Sequence, residues 1–185
     1  MRNAKIISTG MYVPDNIIPN SYFDESLGED VSTWLCGNLH IKERRWCAED
    51  ESTIDLCLHA AKQALDRAGL KAKDLDLIIV ATDTPEYLTP STASVLQYKL
   101  QAGHAGTFDL NAACAGFISG LDVAAKYIIT DDRYNNIMVV GAYAISKYLD
   151  KSNKKTVTLF ADGAGAIILG SEEGGNAGYL GSELI

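Results

Sequence analysis

Hydrophobic and polar positions alternate along this chain with periods that separate helices from strands. Between Ser52 and Gly69, apolar residues recur every three or four positions, which predicts an amphipathic helix. Ser52 and Asp55 match a capping box at its start, and Gly69 is a typical helix stop. Cys57 falls on the apolar face of this helix and His59 on its polar face, so we expect a core thiol and a surface histidine.

A continuous apolar run at 75–82 predicts a strand that is buried on both faces, and 137–141 is interpreted as another buried strand. We predict strands over residues 5–9, 75–82, 107–110, 137–141, 156–160 and 165–169, with helices over 91–100 and 115–130. The last two strands are expected to form a hairpin around the glycine-rich turn at 162–165. Residues 178–185 are interpreted as the possible start of a further strand, and residues 32–45, which show no clear period, as loop or broken helix.

The helix at 115–130 is apolar on most sides, which is typical of a helix at the centre of a domain. Strands and helices that alternate along a chain favour an α/β layered fold. We therefore expect one domain over residues 1–185, with a five-stranded, mostly parallel sheet, a hairpin at one edge and a central buried helix. No linker or repeat divides the chain.

Composition and charge exclude several classes of function. The formal net charge of −8 argues against nucleic-acid binding. Basic residues at 42–45 and 151–155 are interpreted as solvated surface charge, with contact to a small anionic ligand as the alternative.

The four cysteines and three histidines have neither disulfide-scaffold nor metal-ligand spacing, so we predict a reducing compartment and no metal site. We find no signal peptide and no apolar tract of membrane-spanning length, so we predict a cytoplasmic protein with no membrane partner.

Cys114 is the strongest candidate for chemistry. It stands between a predicted strand that ends at Leu110 and a predicted helix that begins near Ala115. Free backbone N–H groups and the positive end of the helix dipole stabilise a thiolate at such a position. We therefore predict a nucleophilic cysteine, and because the helix is expected to be buried, we expect the cysteine at the bottom of a pocket.

A family resemblance rests on several segments in the right order. Residues 109–117 (Asp-Leu-Asn-Ala-Ala-Cys-Ala-Gly-Phe), together with 139–141, 160–166 and 41–44, resemble the β-ketoacyl-acyl-carrier-protein synthase III family of the thiolase-like superfamily. The likeness extends from about Ile6 to about Glu173. Members of that family are built from two similar halves, and this chain resembles the N-terminal half, which implies a thiolase-like fold.

The resemblance implies a specific reaction in fatty acid biosynthesis. Cys114 would attack the thioester of an acyl-coenzyme A, keep the acyl group, and pass it to the carbanion formed by decarboxylation of malonyl-acyl carrier protein. Its backbone N–H is a candidate donor to the oxyanion. The resemblance implies no bound cofactor, since acyl-coenzyme A enters as a substrate. The family's catalytic histidine and asparagine belong to its C-terminal half, and none of His40, His59 or His104 lies in a matching motif.

Further residues correspond to substrate contacts of the family. Trp34 matches a tryptophan that stacks on the adenine of coenzyme A. Asn38 and Lys154 stand where arginines are common, and because neither has the planar guanidinium fork, this departure is compatible with another acyl donor. The positions that correspond to the acyl pocket are Ile145, Leu159 and Phe160, which suit a plain core equally well.

Three hypotheses about function follow. The chain is half of a condensing enzyme, a related acyltransferase that uses only the cysteine and does not decarboxylate its substrate, or a non-catalytic subunit. In the third case it would dimerise with a full-length synthase through the region of Phe108 and the adjoining sheet edge. In all three cases an uncovered apolar face would favour self-association, so we predict a homodimer or larger.

Overall fold

The structure is a computed structural model that describes residues 2–175 and 177–183. The strands are β1 Arg2–Tyr12, β2 Ile17–Pro19, β3 Glu43–Arg45, β4 Leu77–Ala81, β5 Gly106–Leu110, β6 Asn136–Tyr143 and β7 Gly163–Glu173. The helices are α1 Asn20–Leu27, α2 Ser32–Trp34, α3 Thr53–Ala68, α4 Thr92–Leu100, α5 Gly116–Thr130 and α6 Lys154–Val157. A π-helical turn, Leu35–Leu39, follows α2, and 3-10 turns lie at Ala72–Asp74, Ala113–Ala115 and Ile145–Lys147.

The main sheet has five strands in the order β1-β7-β6-β4-β5. Strand β4 is parallel to both β5 and β6, whereas β7 is antiparallel to its neighbours β1 and β6. Four strands therefore point in one direction and only β7 opposes them, which confirms the mostly parallel sheet. A separate two-stranded sheet pairs β2 with β3.

The predicted hairpin at the sheet edge is wrong. Residues 156–160 are not a strand: the side chain of Asn153 accepts from the Lys155 N–H at 3.1 Å and caps α6, and Thr158 Oγ1 donates to the Lys154 carbonyl at 2.8 Å. These local hydrogen bonds favour a helical turn over an extended strand. Strand β7 begins inside the glycine-rich segment and lies between β1 and β6, not at an edge.

Helices cover both faces of the sheet, as the continuous apolar runs predict. On β4, Ile78 and Val80 face the core formed with α3 and α4, whereas Leu77 and Ile79 face the core formed with α5. Helix α3 begins with the predicted capping box and ends at Gly69, whose φ is 67°. The result is an α/β layered fold, as expected from the sequence.

Helix α5 is buried on one side only, which corrects the expectation of a helix surrounded by core. Ala124, Ala125 and Ile128 are buried against the sheet, whereas Ile118 and Ile129 are exposed. The expectation that no apolar tract reaches membrane-spanning length is also wrong, because the stretch 113–130 is long and apolar enough by length and composition alone. In the structure this helix contacts β1, β4 and β6, as a core helix of a layered domain does.

The described part of the predicted C-terminal strand is not a strand. It runs across β1 and α5, where the Tyr179 N–H donates to the Ala4 carbonyl at 2.8 Å. Lys126 Nζ lies 2.7 Å from Asp122 on α5, and the hydroxyls of Ser182 and Tyr179 donate to the same carboxylate. These partners, Lys126 first, lower the pKa of Asp122 to about 2. Residues 184–185 of the predicted strand lie outside the described residues.

The interpretation of residues 42–45 as solvated charge is wrong for Arg44, which is buried. Its guanidinium donates to Asn20 Oδ1 at 2.7 Å and to the Thr158 carbonyl at 2.9 Å, and it lies 4.5 Å from the ring centroid of Phe23. A buried guanidinium is tolerated when protein acceptors replace water. Arg44 thereby joins the two-stranded sheet to the segment after α6.

Candidate active site

The candidate site lies at the carboxyl ends of β4, β5 and β6, where parallel strands deliver their loops to one edge of the sheet. Thr84 connects these loops: its carbonyl accepts from Thr53 Oγ1 at 2.6 Å, and its hydroxyl accepts from the Ala144 N–H at 3.0 Å. The Thr82 N–H donates to the Leu110 carbonyl at 3.2 Å. The ends of the three strands are therefore held together by hydrogen bonds.

Asp109, on β5, fixes the strand that leads into the cysteine. Its carboxylate accepts from the backbone N–H groups of Thr92 and Ala93, both at 2.7 Å. Thr92 and Ala93 are the first two residues of α4, so a side chain of β5 caps this helix. Asp109 stands five positions before Cys114 in the sequence. Its hydrogen bonds to α4 therefore also help to position Cys114.

Cys114 lies on the 3-10 turn between β5 and α5. The preceding residue, Ala113, has a φ of 45°, in the left-handed region that residues with a Cβ rarely adopt. The Cys114 backbone N–H donates to no atom within residues 2–175 and 177–183, so it is available to a ligand. The side chain is exposed, not at the bottom of a pocket as expected, because residues 111–115 extend past the end of the sheet.

Cys114 opens into a cavity of about 380 Å³. Gly165, which also lines it, leaves open space where a side chain would stand. Phe160, expected from the sequence, lies in the wall, and so does Tyr143, which sequence reasoning missed. The other lining residues are Ala81, Thr82, Asp83, Ala112, Ala113, Phe117, Gly141, Ala142, Gly163 and Ala164.

A buried carboxylate supports the glycine-rich wall of this cavity. Asp162 accepts from the N–H groups of Cys47 at 2.7 Å and Ser146 at 2.9 Å, and from the Ser146 hydroxyl. Its own N–H donates to the Arg45 carbonyl at 2.8 Å. Burial, reinforced by Asp162, raises the pKa of the Cys47 thiol. The sequence marked this segment as a turn, but the anchoring role depends on partners that are distant along the chain.

A second cavity, of about 360 Å³, contains Trp34, Lys154 and Leu159. The Trp34 side chain is half-exposed, and Lys154 Nζ forms an ion pair with Glu29 Oε2 at 2.7 Å. Lys155 also lines this cavity. The site therefore offers an aromatic face beside two ammonium groups, one of which already has a carboxylate partner.

The chain passes from one cavity to the other at two consecutive residues. Leu159 lines the second cavity and Phe160 the first. Arg44 donates to the Thr158 carbonyl, and Trp46 Nε1 donates to the Phe160 carbonyl at 3.1 Å. Both side chains come from the segment around β3 and hold the wall between the cavities in place.

The structure thus separates the residues singled out by the sequence. Cys114 and Phe160 share the first cavity, whereas Trp34, Lys154 and Leu159 share the second. Asn38 and Ile145 line neither: Asn38 Nδ2 donates to the Trp34 carbonyl at 3.0 Å, and Ile145 lies in the 3-10 turn after β6. Within the described residues, no group of three or more His, Cys, Asp or Glu side chains is arranged to hold a metal ion.

Comparison with known proteins identifies relatives that bear the same name. Residues 108–185 match the family 3-oxoacyl-[acyl-carrier-protein] synthase III. Over 175 residues, the chain is 45% identical to a β-ketoacyl-[acyl-carrier-protein] synthase III of Natranaerobius thermophilus, covering 95% of this chain and 53% of the relative. A synthase III of the same name from Geobacillus kaustophilus is 44% identical over 182 residues, which are 98% of this chain and 57% of the relative.

Solved structures show the same fold. The crystal structure of 3-oxoacyl-[acyl-carrier-protein] synthase III from Aquifex aeolicus matches with a TM-score of 0.86 and 39% identity, over 92% of this chain and 54% of that one. The priming β-ketosynthase of the R1128 polyketide pathway matches with a TM-score of 0.88 and 29% identity, over 93% and 51%. The chain spans about half the length of the curated relatives it matches. By sequence and fold, the chain matches the 3-oxoacyl-[acyl-carrier-protein] synthase III family over about half the length of its members.

Proposed function

We propose that the protein to which this chain belongs is a 3-oxoacyl-acyl-carrier-protein synthase III of fatty acid biosynthesis. In this proposal Cys114 takes an acyl group from acyl-coenzyme A and donates it to malonyl-acyl carrier protein. The observation that carries the proposal is the exposed cysteine that follows the left-handed residue Ala113 and opens into a cavity at the carboxyl edge of the sheet. Relatives that are 43–46% identical and bear the synthase name support it.

The first half-reaction is transfer to the cysteine. The Cys114 thiolate adds to the thioester carbonyl, and the resulting oxyanion accepts a hydrogen bond from the free Cys114 N–H. The intermediate collapses, coenzyme A leaves as a thiolate that takes up a proton, and the acyl group remains on Cys114. A thioester is exchanged for a thioester, so little free energy is lost and the acyl group stays activated.

The second half-reaction is the condensation. Loss of carbon dioxide from the malonyl group produces a carbanion, which attacks the acyl-cysteine carbonyl and forms the new carbon–carbon bond. Cys114 leaves as a thiolate and is ready for the next cycle. None of His40, His59 and His104 lines the Cys114 cavity. Within the described residues, the groups available for this half-reaction are therefore Cys114 and the other residues that line the cavity.

Coenzyme A fits the second cavity by its chemistry. The exposed face of Trp34 suits an adenine ring, and the ammonium groups of Lys154 and Lys155 suit phosphates. Glu29 competes for Lys154, so a phosphate must displace this carboxylate. In this proposal the pantetheine arm of acyl-coenzyme A extends past Leu159 and Phe160, so that the acyl group at its end lies near Cys114.

A homodimer in the cytoplasm completes the proposal. Strand β5 contains Phe108 and is an edge of the main sheet in the described part of the chain, so we expect its outer backbone groups to pair with a second copy. Sedimentation of the native protein at micromolar concentration should give a dimer or larger; a monomer would contradict this part of the proposal.

The activity is tested with the intact native protein, acetyl-coenzyme A and malonyl-acyl carrier protein. We expect 3-oxoacyl-acyl carrier protein and one carbon dioxide per product, and complete loss of both in Cys114→Ala. Cys36→Ala is the matched control, because Cys36 is also exposed but lies outside the Cys114 cavity. Transfer to an acceptor without carbon dioxide release would support a non-decarboxylating acyltransferase instead, and no acyl transfer would support a non-catalytic subunit.

A further inference from the structure

Tyr143 lines the Cys114 cavity because side chains alternate between the two faces of β6. Successive residues of a strand point to opposite faces, so Tyr143 shares a face with Val139 and Gly141. Val139 packs in the core formed with α5, and Gly141 lies against the ring of Phe117 near the start of that helix. Tyr143 is two residues further along β6 and lies beyond the N-terminal end of α5. Its side chain and Cys114 line the same cavity.

The ring of Tyr143 is held in place by a second aromatic side chain. Its centroid lies 6.2 Å from that of Phe160, with an angle of 60° between the ring planes, which is an edge-to-face arrangement. In the antiparallel pairing of β6 with β7, Tyr143 stands opposite Gly163, which has no side chain to compete for the space. Tyr143 and Phe160 therefore form one aromatic wall of the cavity.

The hydroxyl of Tyr143 is a hydrogen-bond donor without a partner in the described parts of the chain. The hydroxyls of Tyr12, Tyr148 and Tyr179 donate to protein acceptors, whereas within residues 2–175 and 177–183 that of Tyr143 forms no hydrogen bond. Burial, then the nearby charges of Asp83, Cys114 and Asp162, raise the pKa of this phenol. It stays protonated at neutral pH, so it can donate a hydrogen bond but cannot act as a base.

We propose that Tyr143 contacts the substrate, its hydroxyl donating a hydrogen bond to an oxygen of the acyl group that is transferred to Cys114. This inference rests on the proposed function, because it assumes an acyl thioester at Cys114. The Tyr143 side chain lines the cavity that contains the nucleophile, its hydroxyl forms no hydrogen bond within the described residues, and the acyl carbonyl is the acceptor that the reaction brings there. The hydrogen bond strengthens as negative charge develops on that oxygen.

The test compares Tyr143→Phe with wild type in the intact native protein. Acylation of Cys114 by acetyl-coenzyme A is followed over time by the mass of the peptide that contains Cys114. We expect Tyr143→Phe to lower the rate constant about tenfold, the effect of one hydrogen bond. Tyr98→Phe is the matched control, since Tyr98 is highly exposed on α4 and does not line the cavity.

A second reagent distinguishes substrate contact from a change in the thiol. Methyl methanethiosulfonate modifies a thiolate but has no carbonyl oxygen, so its rate at Cys114 should be the same in Tyr143→Phe and wild type. Equal acylation rates in the two proteins, or an equal loss with both reagents, would overturn the inference and leave the proposed function intact. Failure of acetyl-coenzyme A to acylate wild-type Cys114 would overturn the proposed function, and the role of Tyr143 with it.

Discussion

The ring of Phe117 on α5 occupies the space that a side chain at Gly141 on β6 would need. A Cβ at position 141 would lie 2.9 Å from Phe117 Cδ2 and 3.5 Å from Cγ. The glycine thus allows the start of α5 to lie directly on the sheet. Because Cys114 stands on the turn just before this helix, the Gly141–Phe117 contact also sets where the cysteine lies above the strand ends.

We expect Gly141→Ala to destabilise the protein. The ring of Phe117 must move, and overpacking of this kind costs about 1–3 kcal/mol, which lowers the melting temperature by about 3–10 °C for a chain of this size. Gly165→Ala is the control, since Gly165 is paired with Gly141 in the sheet register and its Cβ would meet nothing within 4 Å. Thermal unfolding measures both variants. Equal melting temperatures, or no recovery when Phe117→Leu is added to Gly141→Ala, would contradict the packing described.

The backbone at Ala113 offers a second test. A φ of 45° suits glycine and strongly disfavours a β-branched residue. Ala113→Gly should therefore retain acylation of Cys114 by acetyl-coenzyme A, whereas Ala113→Val should lose it, because the turn that presents the thiol can no longer form. Site-resolved mass spectrometry on both variants measures this. If Ala113→Val acylated as fast as Ala113→Gly, the left-handed backbone at position 113 would not be needed.

The four thiols should differ in reactivity towards iodoacetamide. Cys36 and Cys114 are exposed, whereas Cys57 is buried and Cys47 half-buried. Burial raises the pKa of both Cys57 and Cys47, and the Asp162 carboxylate adds to the effect at Cys47, so both remain thiols as pH rises from 7 to 9. Peptide mapping of the native protein should show alkylation of Cys36 and Cys114 only. Alkylation of Cys47 at the rate of Cys114 would refute this description of its surroundings.

Asp122 predicts a particular dependence of stability on pH. Its pKa in the folded state is about 2, below the ordinary 3.8, because Lys126, Ser182 and Tyr179 favour the carboxylate. Its contribution is therefore fully present above about pH 4 and is lost as pH falls towards 2. The urea midpoint of wild type should exceed that of Asp122→Asn at pH 7, and the difference should shrink between pH 4 and pH 2. A difference that does not change with pH would show that the charge is not responsible.

Local signals in the sequence were sufficient for several elements. The capping box at Ser52 and Asp55 and the stop at Gly69 fix α3 through contacts within a few residues, so they are readable from the chain alone. The apolar run of β4 predicts burial on both faces, because no polar residue interrupts it. The position of Cys114 between a strand and a helix followed from the same kind of pattern.

Other features depend on partners that are far away along the chain. Residues 156–160 resemble a strand, but Arg44 and Trp46 bind the carbonyls of this region from more than a hundred positions away. Arg44 itself was expected on the surface, since nothing next to it marks a buried arginine. Tyr143 was missed because its role depends on the register of β6 against α5 and β7, which the sequence does not display.

The most direct test of the account is the mass of the Cys114 peptide after the intact native protein is incubated with acetyl-coenzyme A. We predict an acetyl adduct on Cys114, with none on Cys36 and none in Cys114→Ser under the same conditions. The adduct should disappear when malonyl-acyl carrier protein is added. An unmodified Cys114 in wild type, or equal modification of Cys36, would contradict the assignment of Cys114 as the acyl-carrying nucleophile.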